Sequence, residues 1–237
     1  NKSGRVWEIS EDGKTLIQPL TSIKGLGDAA MQQIIDNRPF NNIEEFLFNE
    51  NITYSKLNKR ALDVLCRSGA LNSLHDDRFS GGKHFWSCVA VDRPRKEKNL
   101  LENIEKYWEE GDFSKEEEIQ YLADLTGIFP INMVVDDHIL QKLEDYAVPP
   151  ISEWDADLNV AWFIPREIVP KKTKNGKDYW ILKVIDNTSA MTSIRCWGVN
   201  PKRDRVFMNH PYMAKLDFNE EWGFSTRSIR HTFRMLG

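Results

Sequence analysis

The sequence predicts an α+β, multidomain chain in which an all-α N-terminal region is followed by a β-rich C-terminal domain. Three observations carry this. Apolar residues recur at helical spacing from Ile23 to about Leu74 and again over residues 95–125; the period changes to alternation from residue 158; and Asn175-Gly176, a hairpin signal, lies between two strand-like runs. With 237 residues, 41% of them hydrophobic, the chain can fill more than one core. The boundaries expected from these changes are 1–75, 76–157 and 158–237.

In the first region, "DAAMQQIIDNR" puts Ala30, Ile34 and Ile35 on one stripe, and "NIEEFLFNE" resumes after the "RPF" break. In "SKLNKRALDVLCRSGAL", Leu57, Ala61, Leu62 and Leu65 repeat at helical spacing, and Gly69 stands where a left-handed cap would end the helix. Two short helical pairs are expected. Residues 75–94 mix turn formers with aromatics and read as a connector without a defined element. Residues 95–125 read as two helical pieces broken near Gly111, and Asp136 in "DDHIL" reads as a helix N-cap.

The β-rich region contains "LNVAWFIPREIV", "DYWILKVID", "MTSIRCWG" and "YMAKLDF" as strands, while "FSTRSIRHTFRML" is ambiguous between strand and helix. Alternation puts Trp180, Leu182 and Val184 on one face, and Tyr179, Ile181, Lys183 and Ile185 on the other. Ile194 and Cys196 would join the core, leaving Arg195 and Trp197 together on the opposite face. A cation beside an aromatic there suits stacking on single-stranded bases.

Twenty-nine per cent charged residues, no apolar run approaching a membrane span and no leader pattern point to a cytoplasmic protein without a membrane partner. Cys66, Cys88 and Cys196 are too far apart for a CxxC metal site and odd in number, so buried, idle thiols are expected. The chain opens on Asn1 rather than Met, as a piece of a longer polypeptide would. Its net charge of −4 is unevenly spread: residues 1–94 carry 12 basic and 12 acidic side chains, residues 95–150 carry 6 and 14, and residues 151–237 carry 14 and 10. The basic end could hold phosphate, whereas the acidic middle would repel nucleic acid.

"IKGLGDAA" is the sharpest local motif. Gly25 and Gly27 permit backbone conformations closed to other residues and leave N–H groups uncovered beside a helix start, with Lys24 as a mobile cation. A nucleic-acid phosphate is one ligand for such a turn; an ordinary glycine turn between helices is the alternative. No strand precedes the motif, so it is not a dinucleotide fingerprint, and the G-x-x-x-x-G-K-[ST] phosphate loop is absent.

"LTSIKGLGDAAMQQIIDNRPFNNIEEFLF" followed by "LNKRALDVLCRSGALNSL" resembles the tandem helix-hairpin-helix region of the family C bacterial replicative polymerases, the DNA polymerase III alpha subunits. "VAWFIPREIVPKKTKNGKDYWILKVIDNTSAMTSIRCWG" resembles that family's OB-fold, and "FSKEEEIQYLADLTGIF" with "LQKLEDY" resembles the stretch before it, while the likeness is weak between residues 75 and 112. The resemblance implies a helix-hairpin-helix domain followed by an OB-fold β-barrel. It assigns duplex-DNA contacts to Lys24, Gly25, Leu26 and Gly27 of the first hairpin, and to Lys56, Lys59, Arg60, Arg67, Ser68 and Gly69 of the second. It assigns single-stranded DNA to Lys171, Lys172, Lys174 and Lys177 in the loop after the first strand, and to Tyr179, Lys183, Arg195 and Trp197 on the sheet. Solvated helix faces and a merely solubilising hairpin tip are the alternatives for these cations, and a core position is the alternative for Trp197.

The resemblance implies duplex and single-stranded DNA as partners, together with other replisome proteins. The family's clamp-binding peptide finds no good match, so clamp contact does not carry over. Polymerase chemistry needs carboxylates that bind two cations, and "WDADL", with Asp155 and Asp157, lacks the neighbours of the family's palm motif. No cofactor is therefore expected in this chain; Mg²⁺ would belong to the palm of the parent polymerase. A free-standing DNA-binding scaffold or protein-interaction module with no polymerase attached is the competing reading, and a nuclease or ligase-like enzyme a third.

Overall fold

The computed structural model describes residues 2–236. It divides into two compact units, Asn1–Pro130 and Ile131–Gly237, and the stretch 76–157 expected as a connector is shared between them.

In the first unit a small hairpin, β1 (Glu8–Ile9) with β2 (Leu16–Ile17), precedes a 3-10 turn at Leu20–Ser22 and helix α1 (Asp28–Asn37). Helices α2 (Ile43–Leu47) and α3 (Lys59–Arg67) follow, each started by an asparagine whose side chain accepts a backbone N–H: Asn42 from Glu45 and Asn58 from Ala61. Leu57, Ala61, Leu62 and Leu65 are all buried, as their spacing predicts. Helix α3 ends on a left-handed Gly69, φ +73°. The N–H of Ala70 reaches Leu65 O and that of Gly69 reaches Cys66 O, both at 3.0 Å, closing a Schellman cap.

The 75–94 segment, in which the sequence indicates no element, is helical over Gly82–Val91. Helix α4 (Gly82–Trp86) runs on as a π-turn over Ser87–Val91 and drives Phe85, Cys88, Val89 and Ala90 into the same core as α3. Ser80-Gly81-Gly82 conceals this start, because the helix is held by Asp112 Oδ1 accepting from Gly82 N rather than by a local cap. His84, fully buried, accepts Ser80 N–H on Nδ1 at 2.8 Å and donates from Nε2 to Ile104 O at 2.9 Å. Helices α5 (Glu97–Lys106) and α6 (Lys115–Thr126) complete the unit, separated at Gly111 as expected; α6 opens with a capping box formed by Ser114 and Glu117.

The second unit begins with helices α7 (Ile131–Val134) and α8 (Asp137–Asp145), the latter capped by Asp136 accepting from Ile139 N. Its sheet contains β3 (Val160–Lys172), β4 (Asp178–Ile185), β5 (Thr192–Trp197), β6 (Tyr212–Lys215), β7 (Asp217–Asn219), β8 (Gly223–Arg227) and β9 (Phe233–Met235), with helix α9 (Ile229–Thr232) between the last two. The strand order is β7-β8-β5-β4-β3-β6-β9, antiparallel except for β5 with β8. Strands β6 and β7 are consecutive, separated by Leu216 alone, yet one pairs with β3 and the other with β8. A single segment thus reaches both sides of the ladder, and the sheet curls into an OB-like barrel.

Ala161, Phe163, Leu182, Val184, Ile194, Cys196 and Ala214 fill the barrel. The segment FSTRSIRHTFRML, ambiguous in sequence, resolves into β8, α9 and β9. At the end of β4 the buried Asp186 accepts from Ser152 N and from both the N–H and hydroxyl of Thr188. Burial pushes its pKa up, but these hydrogen bonds outweigh burial and leave it below the ordinary carboxylate value.

Candidate nucleic-acid interface

The Lys24–Gly27 turn is shaped by one inward and three outward residues. Leu26 packs on the helical core, while Lys24, Gly25 and Gly27 are exposed. Gly25 takes φ +88°, and a Cβ there would lie 3.4 Å from Val64 Cγ1 of α3, so the turn sits tightly against the second helical pair. Lys24 N–H is anchored on Leu125 O at 2.8 Å.

Gly27 differs from Gly25. It is the N-cap of α1 in extended geometry, φ −75° and ψ 147°, and a Cβ there would meet nothing within 4 Å. It supplies no side-chain cap, so the first N–H groups of α1 remain without a protein acceptor, as do those of Gly25 and Gly27 among the described residues. The result is an open cluster of donors at the positive end of a helix of 10 residues. Its one nearby carboxylate, Asp28, is exposed and lies 3.6 Å from Arg5 Nη1.

Lys56, Lys59 and Arg60 are exposed around the start of α3, where Lys59 Nζ donates to Val91 O at 2.8 Å. The other end of α3 is internally engaged. Arg67 forms a bidentate pair with Asp63, one hydrogen bond measuring 2.9 Å, and lies 4.8 Å from the centre of the Tyr121 ring. Trp86 Nε1 donates to the same carboxylate at 2.8 Å, and Ser68 Oγ donates to Leu65 O.

On the barrel, strand register assembles the outer face. Lys171 of β3 pairs with Tyr179 of β4, Tyr179 with Trp197 of β5, and Trp197 with Arg227 of β8. Directly paired residues share a face of the sheet, so one rung reads cation, aromatic, aromatic, cation. The two rings stack with centroids 4.6 Å apart and planes at 28°. The adjacent rung runs from Val169 through Ile181 to Arg195 and Ser225.

Lys183 is held by Glu167 Oε2 at 2.7 Å, and Lys172 lies 3.8 Å from Asp178. Lys174 and Lys177 occupy the hairpin tip, where Gly176 N–H bonds Thr173 O and Gly176 takes φ +75°. Arg227 is the member of the first rung that sequence reasoning misses. It is exposed, and its pairing with Trp197 is a parallel contact across 30 residues that no local pattern announces.

Asp155 and Asp157 form a turn, with Asp157 N donating to Asp155 Oδ1 at 2.7 Å. Among the described residues no three His, Cys, Asp or Glu side chains are grouped to hold a metal. Cys66, Cys88 and Cys196 are buried and form no disulfide, and burial pushes the thiols of Cys88 and Cys196 up to about 12. No helix of the described residues is long and apolar enough to cross a membrane.

Fold and site together define a helix-hairpin-helix domain followed by an OB-like barrel, and residues 1–80 match the helix-hairpin-helix motif family. The chain is similar to the DNA polymerase III subunit alpha of Pseudomonas aeruginosa, with 33% identity over 97 residues, which cover 39% of this chain and 8% of that protein. It is also similar to the DNA polymerase III subunit alpha of Caulobacter vibrioides, with 35% identity over 82 residues, covering 33% of this chain and 7% of that protein. The matches thus span less than a tenth of either relative, and the resemblance is to the C-terminal region of such a subunit.

Proposed function

We propose that this chain is a non-catalytic, DNA-handling part of a replicative DNA polymerase III alpha subunit. Its helical unit grips the backbone of duplex DNA, and its barrel guides single-stranded template. The observation that carries the reading is the uncapped start of α1 beside Gly25 and Gly27, inside the region that matches the helix-hairpin-helix motif. A phosphate oxygen suits this donor cluster on charge and on access, because the side of Gly27 is open and Lys24 is free to approach. Such contacts fix position on a duplex without reading its sequence. Lys56, Lys59 and Arg60 supply further cations to the same backbone.

On the barrel, the Tyr179–Trp197 stack offers ring faces to bases, and Lys171 and Arg227 flank it with positive charge for the intervening phosphates. A stacked base is worth about 1–3 kcal/mol whatever its identity. Lys174 and Lys177 at the hairpin tip, with Arg195 on the next rung, would extend the path.

Fluorescence anisotropy of the full chain with labelled duplex and single-stranded oligonucleotides tests this. For both, log K is expected to fall linearly with log salt concentration, in proportion to the phosphates neutralised. If the chain binds neither form at low salt, the proposal fails.

A further inference from the structure

One cation of the helical unit has no counter-charge. Arg93 is 6% exposed, its Nε has no hydrogen-bond partner, and no carboxylate among the described residues forms an ion pair with it. Its Nη1 donates to Tyr54 O at 2.6 Å, and its guanidinium carbon lies 3.5 Å from the centre of the Tyr54 ring. The ring face offsets part of the cost of burying the charge. A buried guanidinium nevertheless ordinarily meets an anion, since desolvation without one is strongly unfavourable. Burial draws the Arg93 pKa below its usual value, in keeping with a cation left uncompensated.

The surroundings carry the same sign. Arg95 lies 5.8 Å from the centre of the Tyr54 ring and is exposed, as is Lys96. Lys59 reaches into the same loop through its bond to Val91 O, and Lys56 is two residues beyond Tyr54. Asp92 is already engaged, by Lys106 Nζ at 2.9 Å and the Tyr107 hydroxyl at 3.4 Å. Glu97, the next acid along the chain, is exposed in the first turn of α5.

We propose that Arg93 and Arg95, gathered over Tyr54, form an anion site that takes a phosphodiester of duplex DNA and continues the grip of Lys56, Lys59 and Arg60. The site rests on the duplex-binding reading above and adds residues that the hairpin motif does not include. Tyr54, exposed at 46%, is the cover that such a phosphate would slide past or displace. A loop counted in sequence as the edge of an acidic region is, in the fold, part of a basic one.

The test uses the full chain with Arg93→Met and Arg95→Gln, a fluorescein-labelled duplex, and salt varied from about 50 to 200 mM. Each substitution is expected to lower the salt exponent of duplex binding by about 0.9, the loss of one phosphate contact. Arg93→Met is also expected to leave the thermal midpoint of the free chain unchanged or raised, because an unpaired buried charge is replaced by an apolar side chain of similar length.

A lowered midpoint with an unchanged exponent would make Arg93 a structural residue and overturn the site. An unchanged exponent in Arg95→Gln overturns it independently, and that exposed position carries the test should Arg93→Met fail to fold. Tight binding of a polyglutamate peptide that both substitutions abolish, with duplex affinity untouched, overturns it in favour of a protein partner. Wild-type chain that binds no duplex at low salt refutes the parent reading. Duplex binding that weakens in a Gly27 variant but survives in both arginine variants refutes this inference alone.

Discussion

Gly27→Ser separates binding from folding at a single atom. The residue already has N-cap geometry, φ −75° and ψ 147°, close to that of Ser114, which at φ −65° and ψ 155° accepts from Glu117 N at 3.2 Å. Nothing lies within 4 Å of a Cβ at position 27, so a serine enters without displacing a neighbour and can cap α1 as Ser114 caps α6. The gain over glycine at an N-cap is about a few tenths of a kcal/mol. The same hydroxyl occupies an N–H that the proposal reserves for phosphate. Loss of that contact should weaken duplex binding with little change in the salt exponent, because a backbone N–H carries no net charge and the exponent counts phosphates neutralised by Lys or Arg.

Urea denaturation and anisotropy on one preparation give both readouts. The expected result is a slightly higher urea midpoint together with weaker duplex binding and single-strand binding at its original strength. A Gly27→Ser chain that is more stable and binds duplex with unchanged affinity refutes the assignment of the α1 terminus to phosphate. Equal losses on duplex and single strand refute the division of labour between the two units.

Three further outcomes follow from the same geometry. Gly25→Ala, at φ +88° and with its new methyl 3.4 Å from Val64, should destabilise the helical unit by about 1–2 kcal/mol in a urea titration. Trp197→Ala should weaken oligothymidine binding by about 1–3 kcal/mol in anisotropy and leave duplex affinity unchanged; unchanged oligothymidine affinity would make the ring only a packing partner of Tyr179. Stability should fall as pH drops below about 6.5, because burial holds the His84 pKa below its ordinary value, with His75 adding repulsion while the Ile104 carbonyl and Glu110 oppose the shift. The unfolded chain then binds the extra proton, and a His84→Gln chain, whose amide can accept from Ser80 and donate to Ile104 without titrating, should lose most of that slope in urea midpoints measured from pH 8 to 5.5.

Where a structural signal is local, it can be read in the sequence. Leu57, Ala61, Leu62 and Leu65 declare the face of α3, Gly69 declares its end, and Asn175-Gly176 declares the β3–β4 turn, because each depends on residues within a few positions of itself. The Asp63–Arg67 pair also stands at a spacing of four on a helix, a local signal that the assignment of Arg67 to duplex DNA does not weigh. What stays hidden depends on distant residues. Lys183 meets Glu167 only once the β3–β4 register is known, Arg227 joins Trp197 only through parallel pairing, and Arg93 meets Tyr54 across 39 residues. The helix over Gly82–Val91 is hidden for a related reason, since its start is fixed by Asp112 from 30 residues away.

The candidate interface is most visible where the chain omits what it does elsewhere. Among the described residues four helices receive side-chain caps, from Asn42, Asn58, Ser114 and Asp136, so the sequence has ready means of satisfying a helix start. Helix α1 begins on a glycine instead; α5, equally long, has Lys96 at its N-cap and also lacks a side-chain cap, so what sets α1 apart is the open glycine flank at its start, where a Cβ on Gly27 would meet nothing within 4 Å. Arg67 and Arg78 are matched with carboxylates, whereas the more deeply buried Arg93 is not. Each omission forgoes stability that a single substitution could recover, and both occur on the unit where cations stand near exposed backbone donors. On the proposed reading both sites are left for an anion, which makes the two substitutions that should stabilise the free chain, Gly27→Ser and Arg93→Met, the ones expected to weaken its hold on duplex DNA.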